Sequence, residues 1–226
     1  MAKTTPMLIL GLAAAAAVAA GGWWLARPTA SVTEFTTAAI AQPAQTDAPA
    51  TELLPDRVLG NSLAKVTVIE YASFTCPHCA NFHDEVFAPL KADYIDTGKI
   101  RFIHREVYFD KFGLMAAMIA NCGGDEKYYP LAGVIYATQE EWIGDGAEPT
   151  IINNLVKTGL KAGLSQEAVT ACIADNARAE QMVATYLARA EADEVNSTPT
   201  LFVNGVKYSN MAYADLKAII DAELAK

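Results

Sequence analysis

The spacing of apolar positions divides the chain into four regimes. Met7 to Leu25 is an unbroken run of 19 apolar or glycine residues. From residue 28 to about 54 no period is sustained. Ala, Thr, Pro and Gln dominate there, Pro28, Pro43 and Pro49 punctuate it, and Pro55 closes it, as in a flexible tether. Regular patterning then begins. Val66-Thr67-Val68-Ile69-Glu70-Tyr71 is β-branched and apolar, as a buried central strand requires. Ser73-Phe74-Thr75 interrupts it. Cys79, Phe82, Val86, Phe87, Leu90 and Tyr94 follow at helical spacing, with a break expected at Pro89 and an end at Gly98. Ile100 to Val107 is a second strand. Strand, helix, strand at this spacing makes a βαβ unit with parallel strands and a right-handed crossover.

From about residue 111 to 194 the pattern is helical throughout, over Leu114–Cys122, Tyr128–Trp142, Ile151–Ala162, Gln166–Ala174 and Arg178–Ala192. Thr198-Pro199-Thr200-Leu201-Phe202-Val203 then reads as a short strand. Asn204-Gly205 is a tight-hairpin signal, with Val206-Lys207-Tyr208 as the returning strand. A last helix carries Tyr213, Leu216, Ile219, Ile220 and Leu224 on one face. The predicted fold is an α/β sheet domain over residues 55–226, interrupted by an all-helical insertion.

The N-terminal run sets the compartment. Lys3 precedes it and no acidic residue occurs before Glu34. Residues 1–27 therefore read as a cleaved signal peptide or a retained membrane anchor. Ala17-Val18-Ala19 or Val18-Ala19-Ala20 offers a small-residue cleavage site, and Trp23 and Trp24 offer an interfacial belt. Both imply export. The formal net charge of −9, with no basic run, argues against nucleic acid as a partner. Hydrophobic residues at 52% and charged residues at 19% supply a core and exclude general disorder. An exported domain with four cysteines sits where disulfides persist.

The chemistry centres on Cys76-Pro77-His78-Cys79. Two cysteines three residues apart on a first helical turn can bond to each other. The first falls at the helix N-terminus, where free N–H groups and the helix dipole favour a thiolate. The thiolate is the species that attacks or leaves in disulfide exchange. Pro77 suits the first helical position, and His78 adds a charge or hydrogen bond beside the Cys76 sulfur. The same spacing also begins zinc sites. The remaining candidates Cys122, Cys172, His83 and His104 form no second ligand pair, so no metal or other cofactor is expected. Pro199 at the start of a strand lacks a ladder donor. A cis Thr198–Pro199 bond would bring that strand close to the cysteines and leave the Thr198 backbone free for a substrate peptide.

Phe74 to Cys79, together with Thr198 to Gly205, resembles two separated motifs of the DsbA family of thiol:disulfide oxidoreductases, in the family's order. Val58-Leu59-Gly60-Asn61 resembles its entry segment. The resemblance covers about residues 55–226. It implies a thioredoxin fold with a helical insertion after the βαβ unit, in the periplasm, passing disulfides to newly exported proteins. It implies that Cys76 is the exposed nucleophile and Cys79 its buried partner. Pro77 and His78 tune the potential, Pro199 is cis, and Thr198 lies beside the sulfurs. Glu70 matches a buried acid that relays protons near the second cysteine. The implied partners are unfolded protein thiols and a quinone-linked membrane reoxidant of the DsbB type. The chain departs from the pattern at Tyr108 and Phe109, where the family often has proline, and in its long tether.

Cys122 and Cys172 lie 50 residues apart in the helical block. Neither has the context that lowers a thiol pKa, and a structural disulfide is expected, as in some DsbA-like proteins. His83 is expected on a helix surface and His104 as a satisfied, partly buried side chain. Tyr128, Tyr129, Tyr136 and Trp142 are expected in the core of the insertion. Two other functions stay open: a disulfide isomerase or reductase, and a non-enzymatic periplasmic peptide-binding factor.

Overall fold

In the computed structural model, residues 52–226 are described. The signal or anchor at 1–27 and the tether up to residue 51 lie outside them. Among the described residues no helix is long and apolar enough to cross a membrane.

A five-stranded mixed sheet has the order β1-β3-β2-β4-β5. The strands are β1 (Val58–Gly60), β2 (Val66–Ala72), β3 (Ile100–Glu106), β4 (Thr200–Val203) and β5 (Val206–Ser209). β2 and β3 are parallel, as expected for the βαβ unit, with Glu70 opposite His104. The other pairs are antiparallel. The β4–β5 turn places Asn204 at φ 48° and Gly205 at φ 83°, the left-handed pair that a two-residue hairpin requires. β1 is an edge strand beyond the predicted set. It ends at Gly60 (φ +91°), where a Cβ would stand 2.7 Å from the Ile100 carbonyl oxygen. Only glycine fits there.

The crossover between β2 and β3 is one long helical segment of mixed type. α1 (Pro77–Phe82) continues through a π-helical turn (His83–Phe87), α2 (Ala88–Leu90) and a second π-helical turn (Lys91–Ile95). The break expected at Pro89 takes this form. Proline has no N–H to give the preceding turn, and wider turns on either side carry the helix past it. Phe82, Val86, Leu90 and Tyr94 of this segment meet Val66, Val68, Ile100 and Phe102 of the sheet. Leu216 and Ile220 of α9 (Tyr213–Leu224) join the same core.

Six helices run between β3 and β4: α3 (Lys111–Asn121), α4 (Asp125–Ala137), α5 (Gln139–Ile143), α6 (Glu148–Lys161), α7 (Gln166–Ala174) and α8 (Asn176–Ala192). The expected helix over Tyr128–Trp142 is split at Thr138 into α4 and α5. Tyr128, Tyr136 and Trp142 are buried there, and Tyr129 packs against them from a partly buried position. This second core reaches Ala72, Phe74 and Cys79, so the helical block closes over the C-terminal end of β2. On the opposite sheet face Arg105 binds Asp56 and Asp193, and Arg189 binds Asp56. Tyr71 completes the network, its hydroxyl accepting from Arg105 (2.7 Å) and donating to Asp193. α8 also holds the first described residues, through Gln181 to the Glu52 carbonyl and Arg189 to that of Leu54.

Cys122, at the end of α3, is disulfide-bonded to Cys172 of α7. The bridge closes a loop of 50 residues, for which chain entropy gives a stabilisation of about 2–4 kcal/mol. A Cys122→Ala, Cys172→Ala variant is therefore expected to melt about 5–15 °C lower in calorimetry. An unchanged midpoint would remove the structural role.

Candidate active site

The site forms where β2 ends and α1 begins. Ser73 to Cys76 turns the chain, and the Cys76 N–H donates to the Ser73 carbonyl (3.1 Å). Cys76 is the N-cap of α1 with extended backbone (φ −83°, ψ 118°), and Pro77 opens the helix, where a missing N–H costs no hydrogen bond. Cys76 is half-buried and Cys79 is fully buried. Both are free thiols.

The two thiols are driven in opposite directions. Cys76 is lowered to about 5. The chief cause is the hydrogen bond from the Cys79 thiol to its sulfur. The Thr198 side chain and the backbone N–H groups of Cys79 and His78 add to it, against partial desolvation. Burial pushes the Cys79 thiol far up. Its bond to Cys76 and the charge of Glu70 add to the rise. His78 is exposed. Its contribution comes through the main chain, because α1 directs its N–H at the Cys76 sulfur.

Thr198–Pro199 is a cis peptide bond. The Cys76 thiol donates to the Thr198 carbonyl oxygen at 3.5 Å. No geometric hydrogen-bond partner engages the buried Thr198 hydroxyl, so it is free to turn to the Cys76 thiolate, the contact that helps lower that thiol. Thus Cys76, Cys79, Thr198 and Pro199, separated by more than 100 residues in sequence, converge.

The helical block supplies a support for which the sequence carried no signal. Gln139 Nε2 donates to the carbonyls of Phe74 (2.7 Å) and Cys76 (3.0 Å). Asp110 caps α3 with one carboxylate oxygen, and Thr75 donates to the other at 2.7 Å. Both sides of the cysteine turn are thereby tied to the insertion. At the departure from the family pattern, Phe109 is 57% exposed while Tyr108 donates to partly buried Glu106.

Beneath Cys79 lies a buried polar cluster. Glu70 is fully buried. His83 corrects the expected surface position: its side chain is only 7% exposed, and its Nε2 is hydrogen-bonded to Glu70 Oε2 at 3.1 Å. The signal was present, since a residue four after Cys79 shares its helix face, and that face is buried. His104 is satisfied as expected, though buried rather than partly buried, with Nδ1 2.6 Å from the Tyr128 hydroxyl and Nε2 3.0 Å from that of Tyr136. Tyr128 donates to Glu106, so its oxygen accepts from Nδ1–H and Tyr136 donates to Nε2. Burial lowers the His104 pKa well below its usual value, which keeps the ring neutral. Glu70, His83 and His104 bring ligand-capable atoms within 4.8 Å of one another. Of the three, Glu70 and His83 are bonded to each other, while both His104 nitrogens are engaged by tyrosines.

Residues 52–222 match the family model described as thioredoxin. The chain belongs to the thioredoxin family. The crystal structure of Wolbachia pipientis alpha-DsbA1 superposes with a TM-score of 0.70 at 28% identity, covering 77% of this chain and 93% of that one. A Rickettsia bellii protein, provisionally named a protein-disulfide oxidoreductase, is 35% identical over 167 residues. The match takes in 74% of this chain and 63% of that protein, so the chain spans less than two thirds of its length. Disulfide bond formation protein D of Bacillus subtilis is 25% identical over 179 residues, covering 74% of this chain and 76% of its own. The likeness is thus to the DsbA branch of the thioredoxin fold, in which helices are inserted into the sheet domain.

Two measurements test this site. The rate of Cys76 alkylation, followed against pH, is expected to be half-maximal near pH 5. A midpoint near 8.5, that of an unperturbed thiol, would contradict the thiolate assignment. Gln139→Ala strands buried carbonyls of the active-site turn and is expected to cost about 1–3 kcal/mol in denaturant unfolding.

Proposed function

We propose that the chain is an exported disulfide oxidase acting through Cys76 and Cys79. The observation that carries this reading is the contrast between the two sulfurs: one half-buried and held as thiolate at a helix start, the other buried and held as thiol. In the oxidised enzyme a substrate thiolate attacks Cys76 Sγ. The Cys76–Cys79 bond breaks, and the Cys79 sulfur leaves with the electron pair and takes a proton. A second substrate thiolate then attacks the substrate sulfur of the mixed disulfide. Cys76 departs as a thiolate, and the substrate keeps the new disulfide.

The direction follows from the leaving group. A thiol with pKa near 5 is about 99% ionised at pH 7, so Cys76 leaves fast and the reduced enzyme is favoured. Thr198, beside the sulfur, is assigned to hold substrate backbone next to Cys76, and Glu70 to exchange protons with Cys79. Export places the enzyme in the periplasm, either free after signal cleavage or tethered through residues 1–27. Its substrates are newly exported protein thiols. Its reoxidant is a quinone-linked membrane protein of the DsbB type, which takes the two electrons.

The linkage has a definite sign. The folded value of about 5 lies below the unfolded value of about 8.5. The reduced protein therefore gains stability over the oxidised one as pH rises from about 5 to about 8, and loses that gain as pH falls through 5. Melting both forms across this window is expected to show a widening gap, and parallel curves would refute it. The decisive measurement is the equilibrium potential of the pair against glutathione. A value near about −120 mV marks a strong oxidant, as in DsbA itself, whereas about −270 mV, as in thioredoxin, marks a reductant. If a Cys76→Ser, Cys79→Ser variant kept full biological function, the redox role would be lost and the peptide-binding alternative would stand.

A further inference from the structure

Cys79 is enclosed, yet the exchange proposed above requires its sulfur to gain a proton as the disulfide opens and to lose one as it re-forms. Water does not reach it directly, since its exposed surface is nil. Two observations mark a route. Glu70 Oε1 is buried and has no hydrogen-bond partner, which leaves a free acceptor beneath the cysteine. Glu70 Oε2 is bonded to His83 Nε2.

His83 is placed at a boundary. Its ring is stacked on Tyr136, with centroids 4.0 Å apart, and meets the edge of His104. The same side chain lines a cavity of about 470 Å³ bordered by Pro77, Asp84, Tyr136 and Gln139, beside the exposed start of α1. One flank thus meets a buried acid and the other a space that admits water. The groups that face the ring are Glu70 from β2, neutral His104 from β3 and Tyr136 from α4. Asp84 on its own helical segment and Glu140 and Glu141 on α5 line the cavity. An imidazole bonded to a buried carboxylate on one side and lining a cavity on the other is suited to pass protons.

We propose that His83 is a positioning residue of the exchange reaction, holding Glu70 in place and carrying protons between the cavity and the Glu70–Cys79 pair. The inference rests on the exchange chemistry of the preceding section. When the Cys76–Cys79 bond breaks, its electron pair stays on Cys79 Sγ. Glu70 gives that sulfur a proton, His83 replaces the proton on Glu70, and cavity water recharges His83. Reoxidation runs the relay backwards. No electrons move through it, so the cysteine pair alone changes oxidation state.

The test is single-turnover transfer of the disulfide from the oxidised full chain to a dithiol peptide, quenched by alkylation, across about pH 5 to 9. His83→Ala is expected to slow transfer about 10²-fold and to flatten the pH profile. Added imidazole, which the enlarged cavity admits, is expected to restore part of the rate. His83→Gln keeps a donor toward Glu70 but cannot titrate, and it decides the question where His83→Ala does not fold. If the wild type transfers its disulfide and His83→Gln matches its rate at every pH, the relay is overturned. A slowed variant that keeps the wild-type profile and ignores imidazole overturns it equally, because His83 would then only fill space. If the wild type itself transfers nothing, the exchange function fails first, and the two failures are thereby told apart.

Discussion

The hydrogen bond from the Cys79 thiol to the Cys76 sulfur governs the chemistry of the molecule. It exists because α1 begins at Cys76, which puts the two sulfurs on one helical turn with one at the rim and one beneath it. Burial forbids Cys79 from ionising, so it is always available as a donor, and the charge has only one place to go. The Thr198 side chain and the first N–H groups of α1 then deepen the same preference. Everything else that touches the site keeps those two atoms in register. Gln139 fixes the turn from one side, Asp110 fixes it from the other, and the β4 entry brings Thr198 against the sulfur.

This division of labour explains why the sheet and the helical block cannot be understood separately. The sheet domain, with its crossover helix and the entry to β4, supplies the cysteines, Glu70 and Pro199. The insertion supplies the walls: Tyr136 against His83, Tyr128 and Tyr136 on His104, and Gln139 on the turn. Glu70 is a costly residue to bury, and a buried polar group persists where its neighbours satisfy or use it. Its one bonded oxygen is answered by His83, on the face of the helix that also carries Cys79.

Most of the fold was legible because its elements are long and strongly periodic. The parallel β2–β3 pair, the Asn204-Gly205 hairpin and the helices from α6 to α8 follow directly from spacing and turn chemistry. β1 was not, because three residues on an edge carry no alternation to detect. The split of α4 from α5 at Thr138 was hidden by an apolar pattern that continues across it. At the site, Cys76, Cys79 and Thr198-Pro199 announce themselves through local motifs. His83 is buried rather than on the helix surface because, four residues after Cys79, it shares that residue's core-facing side. Gln139 could not be found at all. A glutamine that bonds two carbonyls more than 60 residues away leaves no trace in local sequence.

The insertion of six helices between β3 and β4 also orders events in time. Tyr71 of the central strand pairs with Thr200, and the stretch between them includes the whole helical block. Contacts that span so much chain form late in folding, after local helices and the β2–β3 unit. Until β4 docks, Cys76 lacks Thr198, and until α5 is in place its turn lacks Gln139. Before those contacts form, the two thiols lack the Thr198 and Gln139 supports of the finished site. The full setting of Cys76 is complete only once β4 has docked, so an incompletely folded copy presents its cysteine pair without the walls that hold it in place.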